Sequence, residues 1–257
     1  MAKAAHGAGR AARASVWLEG KAARGGGSRG GGHPSGLDRD RITEATVRLL
    51  DAEGLGKFSM RRLAAELNVT AMSVYWYVDT KDDLLELALD AVFGEMRLPG
   101  ADSDEDWRDQ LRALAAEYRA LLVRHPWVSP LTGTFLNIGP RAIAFSLTAQ
   151  RVTELTGLPA YGQTGAIAAV FQFVYGFGTI EGHFIERCAT AGMSQDDYFR
   201  QAMSAGTENP ALGEMTHRTA DLMEASGRDT VKEMREQDFT FALETLIAGI
   251  EAMVARG

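Results

Sequence analysis

The sequence has a single cysteine and no apolar run long enough to cross a membrane. Cys188 alone cannot form an internal disulfide, which fits a reducing compartment. The longest apolar stretch, residues 164–180, is interrupted by Gln172 and followed at once by Glu181, so it predicts a buried helix. The N-terminus lacks the apolar segment of a signal peptide. We therefore expect a cytoplasmic protein that makes no membrane contact.

The chain also lacks the motifs that accompany most catalytic chemistry. It contains no nucleophile–base pattern, no metal-ligand spacing and no phosphate-binding loop. Residues 181, 183, 186 and 188 carry metal-binding side chains, but the first three do not share one face of a helix. We predict no catalytic residue, no metal and no cofactor. An α-helical enzyme or carrier that uses a C-terminal pocket stays open as an alternative.

No segment alternates apolar and polar residues like a β-strand over a useful length, whereas helical periodicity recurs from Leu37 to the C-terminus. The sequence therefore predicts an all-α protein. We divide it into a basic, largely disordered arm at residues 1–36, a three-helix helix-turn-helix domain with a linking helix at 37–97, and a larger helical domain at 98–257. We expect residues 190–209, which are polar and contain glycine, to be mostly a mobile connection.

Positive charge is scarce in most of the chain and concentrated at its start. The net charge is −7, yet residues 1–36 carry +5 and the other 221 residues carry −12. The glycine-rich stretch 21–36 cannot bury a core, so we expect it to be disordered when alone. A basic tail on an acidic body suggests an anionic partner. The alternative is a solvated tail that keeps the protein soluble.

Residues 37–97 carry the start and stop signals of four helices. An apolar stripe between Ile42 and Leu50 predicts the first helix, with Gly54 as its stop. Ser59 should cap the second, and Asn68 lies in a turn where a left-handed conformation is tolerable. A short third helix follows at about 70–77. Thr80-Lys81-Asp82-Asp83 resembles a capping box that opens a fourth helix at about 81–97.

The third helix has more large side chains than its inner face needs. Ala71, Val74 and Val78 share the face that should pack on the first two helices. The other side chains point outward or to the flank: Met72, Ser73, Tyr75, Trp76 and Tyr77. Outward aromatic rings are costly in water, and a short helix-turn-helix places its second helix in the DNA major groove. The alternative is a core helix packed on both sides.

Two motifs connect this region to a known family. The stretch MRRLAAEL at 60–67 is followed by SVYWYV at 73–78 and by Lys81. These residues resemble the N-terminal domain of TetR-family transcription regulators, although Asn68 stands where the family usually has Gly. The resemblance implies DNA contacts at Arg61, Ala71, Met72, Ser73, Tyr75, Trp76, Tyr77 and Lys81. Ser59 and Thr70, at the starts of helices, complete the predicted set because helix N-termini bind anions.

The helix-turn-helix region is itself poor in positive charge. Residues 37–97 carry a net charge of −4, although phosphate neutralisation supplies much of the affinity for DNA. The basic arm lies directly upstream. Arg24 and Arg29 are flanked by glycines and could enter the adjacent minor groove, as other arginine-bearing arms do. We therefore add these two arginines to the predicted DNA-binding set.

The last helix predicts a dimer. Phe239, Leu243, Leu246, Ile250 and Met253 are spaced like a coiled-coil seam. The helix at 161–189 is apolar on more than one face, and its Gly178 and Gly182 permit close helix approach. His125-Pro126-Trp127 and the last helix also resemble the tetracycline-repressor C-terminal domain. That resemblance implies a homodimer through helices at about 161–189 and 229–255, which would contact a palindromic DNA operator.

A ligand pocket is predicted between the helices of this domain. Such pockets are mostly apolar with a few polar groups. The candidate lining residues are aromatic or interrupt apolar stretches: Trp107, Tyr118, Trp127, Phe135, Phe145, Phe171, Gln172, Tyr175 and His183. For each of them, an ordinary place in the core is an equally good interpretation.

The resemblance implies a ligand-responsive regulator of transcription. We predict a repressor that a small-molecule effector releases from double-stranded operator DNA, with the fourth helix as the lever between the two domains. Linkage then requires that effector and operator weaken each other's binding by the same factor. The alternatives are a DNA-binding activator without a ligand and the helical enzyme or carrier.

Overall fold

The structure is a computed structural model that describes residues 15–18, 37–209, 211–227 and 229–256. In these residues the chain forms eleven helices and no strand, so the all-α prediction is confirmed. The helices are α1 (Arg39–Glu53), α2 (Met60–Glu66), α3 (Ala71–Tyr75), α4 (Lys81–Phe93), α5 (Trp107–Arg124), α6 (Val128–Thr132), α7 (Pro140–Glu154), α8 (Ala160–Thr190), α9 (Gln195–Glu208), α10 (Gly213–Ser226) and α11 (Val231–Val254).

The chain divides into two compact units. The first holds the described residues up to Ala91 together with Pro130–Pro140. The second holds Val92–Ser129 and the described residues from Arg141 onward. The division between them falls inside α4, which continues from one unit into the other. The domain boundaries at 36/37 and 97/98 stay predictions.

The helices of the first unit start at the predicted caps, but α3 ends at Tyr75 and α4 at Phe93, before their predicted ends at about 77 and 97. Gly54 follows α1 with φ 77°, a left-handed value that suits glycine, and its N–H donates to the carbonyl of Leu50. Thr80 and Asp83 form the predicted reciprocal cap of α4. The Asp83 N–H donates to the Thr80 hydroxyl at 3.0 Å, and the Thr80 N–H donates to the Asp83 carboxylate at 3.1 Å. Local sequence therefore determines where α1 ends and where α4 begins.

Two glycines let α8 approach α5 closely. A Cβ placed on Gly182 would lie 2.8 Å from the carbonyl oxygen of Leu122, and one on Gly178 would lie 3.1 Å from that residue's side chain. Close approach at these glycines is confirmed. Beside them the Arg119 guanidinium binds both carboxylate oxygens of Glu181, at 2.7 and 3.0 Å, in a largely buried pair. No helix among the described residues is long and apolar enough to cross a membrane.

The predicted mobile connection at 190–209 is wrong, because most of it is α9. Ser194 caps this helix by accepting from the Asp197 N–H at 3.0 Å, and two aspartates in the first turn favour its positive end. Tyr198 packs edge-on against Phe184, with 5.7 Å between ring centroids. Polar composition suggested a loop, but a capped helix with a narrow apolar stripe has the same composition.

The predicted coiled-coil seam on the last helix is also wrong in part. Phe239, Leu243 and Ile250 are buried within their own chain. Phe239 packs on Phe173 and Phe177 of α8, with ring centroids 5.5 and 5.3 Å apart. The buried stripe continues through Ile247 rather than Leu246, so it follows the ordinary helical period.

Candidate nucleic-acid interface and aromatic cluster

The turn between α2 and α3 is built from short polar side chains. The Ser59 hydroxyl accepts from the Arg62 N–H at 3.2 Å and so caps α2. Asn68 adopts φ 53°, the left-handed conformation predicted for the turn. The Thr70 hydroxyl accepts from the Ser73 N–H at 3.2 Å and lies 2.9 Å from the Ser73 hydroxyl. Two capped helices therefore meet at a tight turn, as in a helix-turn-helix.

The third helix presents large side chains to water. Val74 is completely buried and holds α3 against the unit, whereas Met72 is 68% and Trp76 74% exposed. Tyr75 is also exposed, and Ala71 and Ser73 are half-buried. Exposed large side chains on a helix five residues long are a costly arrangement in water. The outward orientation predicted for Met72 and Trp76 is confirmed.

The two neighbouring arginines of α2 differ in their surroundings. Arg62 is held by Glu53 of α1, with nitrogen–oxygen distances of 2.8 and 2.7 Å, and by Glu66 at 3.4 Å. Arg61 is exposed and forms no hydrogen bond or ion pair with another residue that the structure describes. Both point away from the core, as predicted. Of the two, only the Arg61 guanidinium is left available to bind another molecule such as DNA.

Two predicted DNA-contacting residues also have structural roles that the sequence did not reveal. Tyr77 is half-buried rather than outward, and its hydroxyl donates to the carbonyl of Leu37 at 2.7 Å. The Lys81 ammonium donates to the carbonyl of Phe58 at 3.0 Å and lies 5.4 Å from the centroid of its ring. These bonds fasten the ends of α3 and α4 to the rest of the unit. Their contacts with DNA stay predictions.

A short N-terminal stretch packs on this unit. Ser15 and Val16 are buried, and the Ser15 hydroxyl donates to the carboxylate of Glu86 on α4 at 2.5 Å. This contact lies within residues 1–36, predicted as a largely disordered arm, and its sequence signal is the apolar run Val16-Trp17-Leu18. Arg24 and Arg29 lie outside the residues that the structure describes.

In the second unit, three of the predicted pocket residues come together. Tyr118, Phe145 and Phe171 lie within 5.2 to 6.2 Å of each other, centroid to centroid. Phe93 at the end of α4 joins them, 6.3 Å from Tyr118 and 6.0 Å from Phe145. Phe93 was not among the predicted pocket residues, because residues 37–97 were assigned to the helix-turn-helix domain and its linking helix. We call these four rings the aromatic cluster.

The polar groups near the aromatic cluster are few. Burial raises the pKa of Tyr118, so its phenol stays neutral at ordinary pH. Its hydroxyl has no hydrogen-bond partner among the described residues. Tyr175, another predicted pocket residue, instead donates its hydroxyl to the carbonyl of Ser129 at 2.8 Å. A buried phenol without a partner has the capacity to bind a polar atom of a ligand.

The other predicted pocket residues lie elsewhere. Trp127 is buried against His125, with ring centroids 5.7 Å apart, and Trp107 stacks under the Arg108 guanidinium at 4.5 Å. Gln172 and His183 are exposed on α8. Phe135 belongs to the Pro130–Pro140 segment of the first unit. Among the described residues, no group of three or more His, Cys, Asp or Glu could hold a metal ion.

Two family models match this chain and together cover most of it. Residues 42–88 match the bacterial regulatory proteins of the tetR family, and residues 98–254 match the tetracyclin repressor-like C-terminal domain. The chain belongs to the TetR family of transcriptional regulators. The resemblance drawn from residues 60–81 is thereby confirmed, and α2 and α3 are the helix-turn-helix of a DNA-binding regulator.

Two relatives extend the match over most of the chain. An HTH-type transcriptional regulator of Saccharopolyspora erythraea is 38% identical over 191 residues, which are 74% of each chain. The HTH-type transcriptional repressor DrrR1 of Streptomyces coeruleorubidus is 32% identical over 228 residues, 86% of this chain and 79% of that one. Members of the family regulate transcription.

A solved structure shares the fold over most of the chain. The Streptomyces coelicolor TetR-family protein ActR, in complex with actinorhodin, has a TM-score of 0.66 at 24% identity. The match covers 85% of this chain and 97% of that one. The order of a helix-turn-helix unit followed by a larger helical unit is therefore that of the family.

Proposed function

We propose that this regulator is a repressor that binds a palindromic operator as a homodimer and leaves it when a small molecule binds. The observation that carries the DNA part is the exposed surface of α3. Met72 and Trp76 face water while Arg61 has no partner among the described residues. Apolar side chains can contact thymine methyl groups, and an arginine can bind a guanine edge or a phosphate. Access to the operator requires a cytoplasmic protein.

The aromatic cluster is the proposed effector site. Ligand sites are mostly apolar, with a few polar groups that fix orientation. Flat rings at mutual distances of 5 to 6 Å suit a planar aromatic effector, and the unpartnered Tyr118 hydroxyl suits an oxygen on that effector. ActR binds actinorhodin and DrrR1 is named a repressor, which agrees with this proposal.

The proposed lever is α4. In the first unit, Asp90 packs so closely on Gly139 that a Cβ on that glycine would overlap the carboxylate. In the second unit, Phe93 contributes a ring to the aromatic cluster. Asp90, which makes a contact within the DNA-binding unit, and Phe93, in the proposed effector site, are therefore only three positions apart on one continuous helix. A molecule that displaces the Phe93 ring would turn or shift α4 and with it the cap at Thr80.

The proposed dimer interface uses the faces of α8 and α11 that their own chain leaves open. On α8 this face carries small residues and the exposed Ile180, and a Cβ on Gly165 or Gly176 would meet nothing within 4 Å. On α11 it carries Phe241, which is 75% exposed. Gln172 and His183 also lie on the open face of α8, so they suit the dimer better than the pocket. Small residues permit close packing of helices from two chains.

We also retain the arm in the proposed DNA interface. Arg24 and Arg29 would supply positive charge that residues 37–97 lack. Each phosphate contact contributes about 0.9 to the slope of log affinity against log salt. The double variant R24A/R29A should therefore lower both affinity and slope. An unchanged slope in a salt titration would reject a role for these arginines.

One experiment tests the effector site and the switch together. DNase footprinting over the gene's own upstream region locates the operator, and gel shift then measures release by a panel of planar polycyclic phenols. We expect a phenol that releases the wild-type protein to be at least about tenfold weaker against Y118F, which loses one buried hydrogen bond. Operator affinity without the phenol should not change. If no phenol that binds the protein alters operator affinity, the switch mechanism is wrong.

A further inference from the structure

Two hydrogen bonds join the chain just after α3 to the start of α1. The Tyr77 hydroxyl donates to the carbonyl of Leu37 at 2.7 Å, and the carbonyl of Tyr77 accepts from the Arg39 guanidinium at 3.3 Å. The partners lie 40 and 38 positions away in the sequence, so the pair is a tertiary contact and not part of a local turn. We call Leu37, Arg39 and Tyr77 the clasp.

The third helix depends on such contacts for its direction. A helix of five residues is too short to be stable alone, so its surroundings determine how it lies. The Thr70 cap holds its start, and the completely buried Val74 holds its middle. Beyond its end the chain is held by the buried Val78 and by the clasp. The clasp therefore fixes the end of α3 relative to α1.

The chain on the α4 side of the clasp has its own attachments. The buried Asp83 carboxylate accepts from the N–H groups of Asp79 and Thr80, at 3.2 and 3.1 Å. The Lys81 ammonium donates to the carbonyl of Phe58 at 3.0 Å. Because these bonds do not involve Tyr77, loss of the clasp should loosen mainly the α3 side.

The clasp also uses the one proton of the Tyr77 hydroxyl. A phosphate oxygen accepts hydrogen bonds and cannot donate one, so a contact with it would require that same proton. Lys81 is different, because an ammonium has three protons and can bind Phe58 and a phosphate together. Tyr75 is also different, because it is exposed and its hydroxyl has no partner among the described residues. A phosphate contact through the Tyr77 hydroxyl would therefore break the clasp.

We infer that Tyr77 is a positioning residue, which orients α3 through the clasp and does not itself bind DNA. The inference rests on the proposed binding of the operator by α3, and it replaces the DNA contact that the family resemblance implied for this residue. Contacts with base edges need side chains in fixed positions, whereas binding to random DNA depends mainly on charge. Loss of the clasp therefore weakens binding to the operator and leaves binding to random DNA unchanged.

The test removes one hydroxyl from the full chain. Y77F breaks the bond to Leu37 and keeps the ring, and Y75F is the matched control because it makes the same change on an exposed tyrosine. Hydrogen exchange without DNA reports the clasp directly, through the N–H groups of Tyr77 and Val78 that donate to the carbonyl of Val74. We expect these amides to exchange at least about threefold faster in Y77F than in the wild type or Y75F.

Affinity for operator and scrambled duplexes is then measured by fluorescence anisotropy, at a temperature at which circular dichroism shows each protein folded. We expect Y77F to raise the Kd for the operator about 3- to 10-fold, as for the loss of one hydrogen bond. The Kd for scrambled DNA should stay within about twofold of the wild type, and the salt slope should not change.

Three outcomes would overturn the inference. Equal losses on both duplexes, with a salt slope smaller by about 1, would identify Tyr77 as a phosphate contact. Wild-type exchange in Y77F would show that the clasp does not hold the end of α3. Faster exchange with wild-type affinity for the operator would reduce the clasp to a purely structural bond. If the wild-type protein binds both duplexes alike, the proposed operator binding fails instead, and faster exchange in Y77F would still support the clasp.

Discussion

Replacing Arg61 by alanine should weaken operator binding and leave the fold unchanged. The side chain is exposed and has no partner among the described residues, so its removal breaks no contact that they provide. A bidentate arginine–guanine pair contributes about 1–3 kcal/mol of discrimination, which corresponds to about 5- to 150-fold in Kd. The melting temperature should stay within about 1–2 °C of the wild type, as for most surface substitutions.

Arg62→Ala is the matched control, since it removes the same charge from the next residue of the same helix. Arg62 binds Glu53 and Glu66, so its loss should lower thermal stability slightly by releasing α1 from α2. Because that charge is already paired with two carboxylates, its loss should weaken operator binding much less than the loss of Arg61 does.

Fluorescence anisotropy with operator and scrambled duplexes separates the possible roles of Arg61. A base contact predicts that R61A loses affinity for the operator and keeps its affinity for scrambled DNA. A phosphate contact predicts equal losses on both duplexes and a salt slope smaller by about 1. If R61A and R62A weaken binding equally, or if R61A binds like the wild type, the distinction drawn from their surroundings is wrong.

Three further substitutions test packing, backbone conformation and electrostatics. Gly182→Ala should lower the free energy of unfolding, measured by urea denaturation, because the new Cβ would lie 2.8 Å from a backbone carbonyl of α5. Asn68→Gly should preserve stability and Asn68→Val should reduce it, since φ is 53°. Burial is outweighed by hydrogen bonds from His125 and the neighbouring arginine, so the pKa of Glu95 lies below its ordinary 4.5. The ionised Glu95 carboxylate therefore adds to the free energy of unfolding at neutral pH, and this contribution is lost as the pH falls through the lowered pKa. In urea denaturation at a series of pH values, Glu95→Gln should reduce the loss of stability at acidic pH.

The helix-turn-helix could be predicted because its signals are local. Caps such as Ser59 and Thr70, and the left-handed Asn68, act within three or four residues of the chain. The family motif at residues 60–81 added the predicted DNA contacts. Tyr77 turned inward because its hydroxyl met the carbonyl of Leu37, forty residues away in sequence, and no local pattern contains such a partner.

The second unit was harder to predict for the same reason. An apolar residue on a long helix can face its own core, a partner chain or a ligand, and periodicity does not separate these outcomes. Phe239 and Leu243 therefore fitted a dimer seam but pack within their own chain. Tyr118, Phe145 and Phe171 were predicted as pocket residues because they are aromatic, and the structure brings these three rings together. Phe93 was missed because helix α4 serves both units.

The exposed thioether of Met72 and the exposed indole of Trp76, at and just after α3, give DNA binding a calorimetric signature. Met72 and Trp76 are 68% and 74% exposed in the free protein, and a complex that fits them into the major groove removes water from both. Burial of apolar surface makes the heat-capacity change of binding negative. Contacts with phosphates alone leave these side chains hydrated, so random DNA should give a heat-capacity change near zero. A regulator that searches the chromosome would therefore keep the Met72 and Trp76 side chains hydrated on non-specific DNA and remove their water only on the operator.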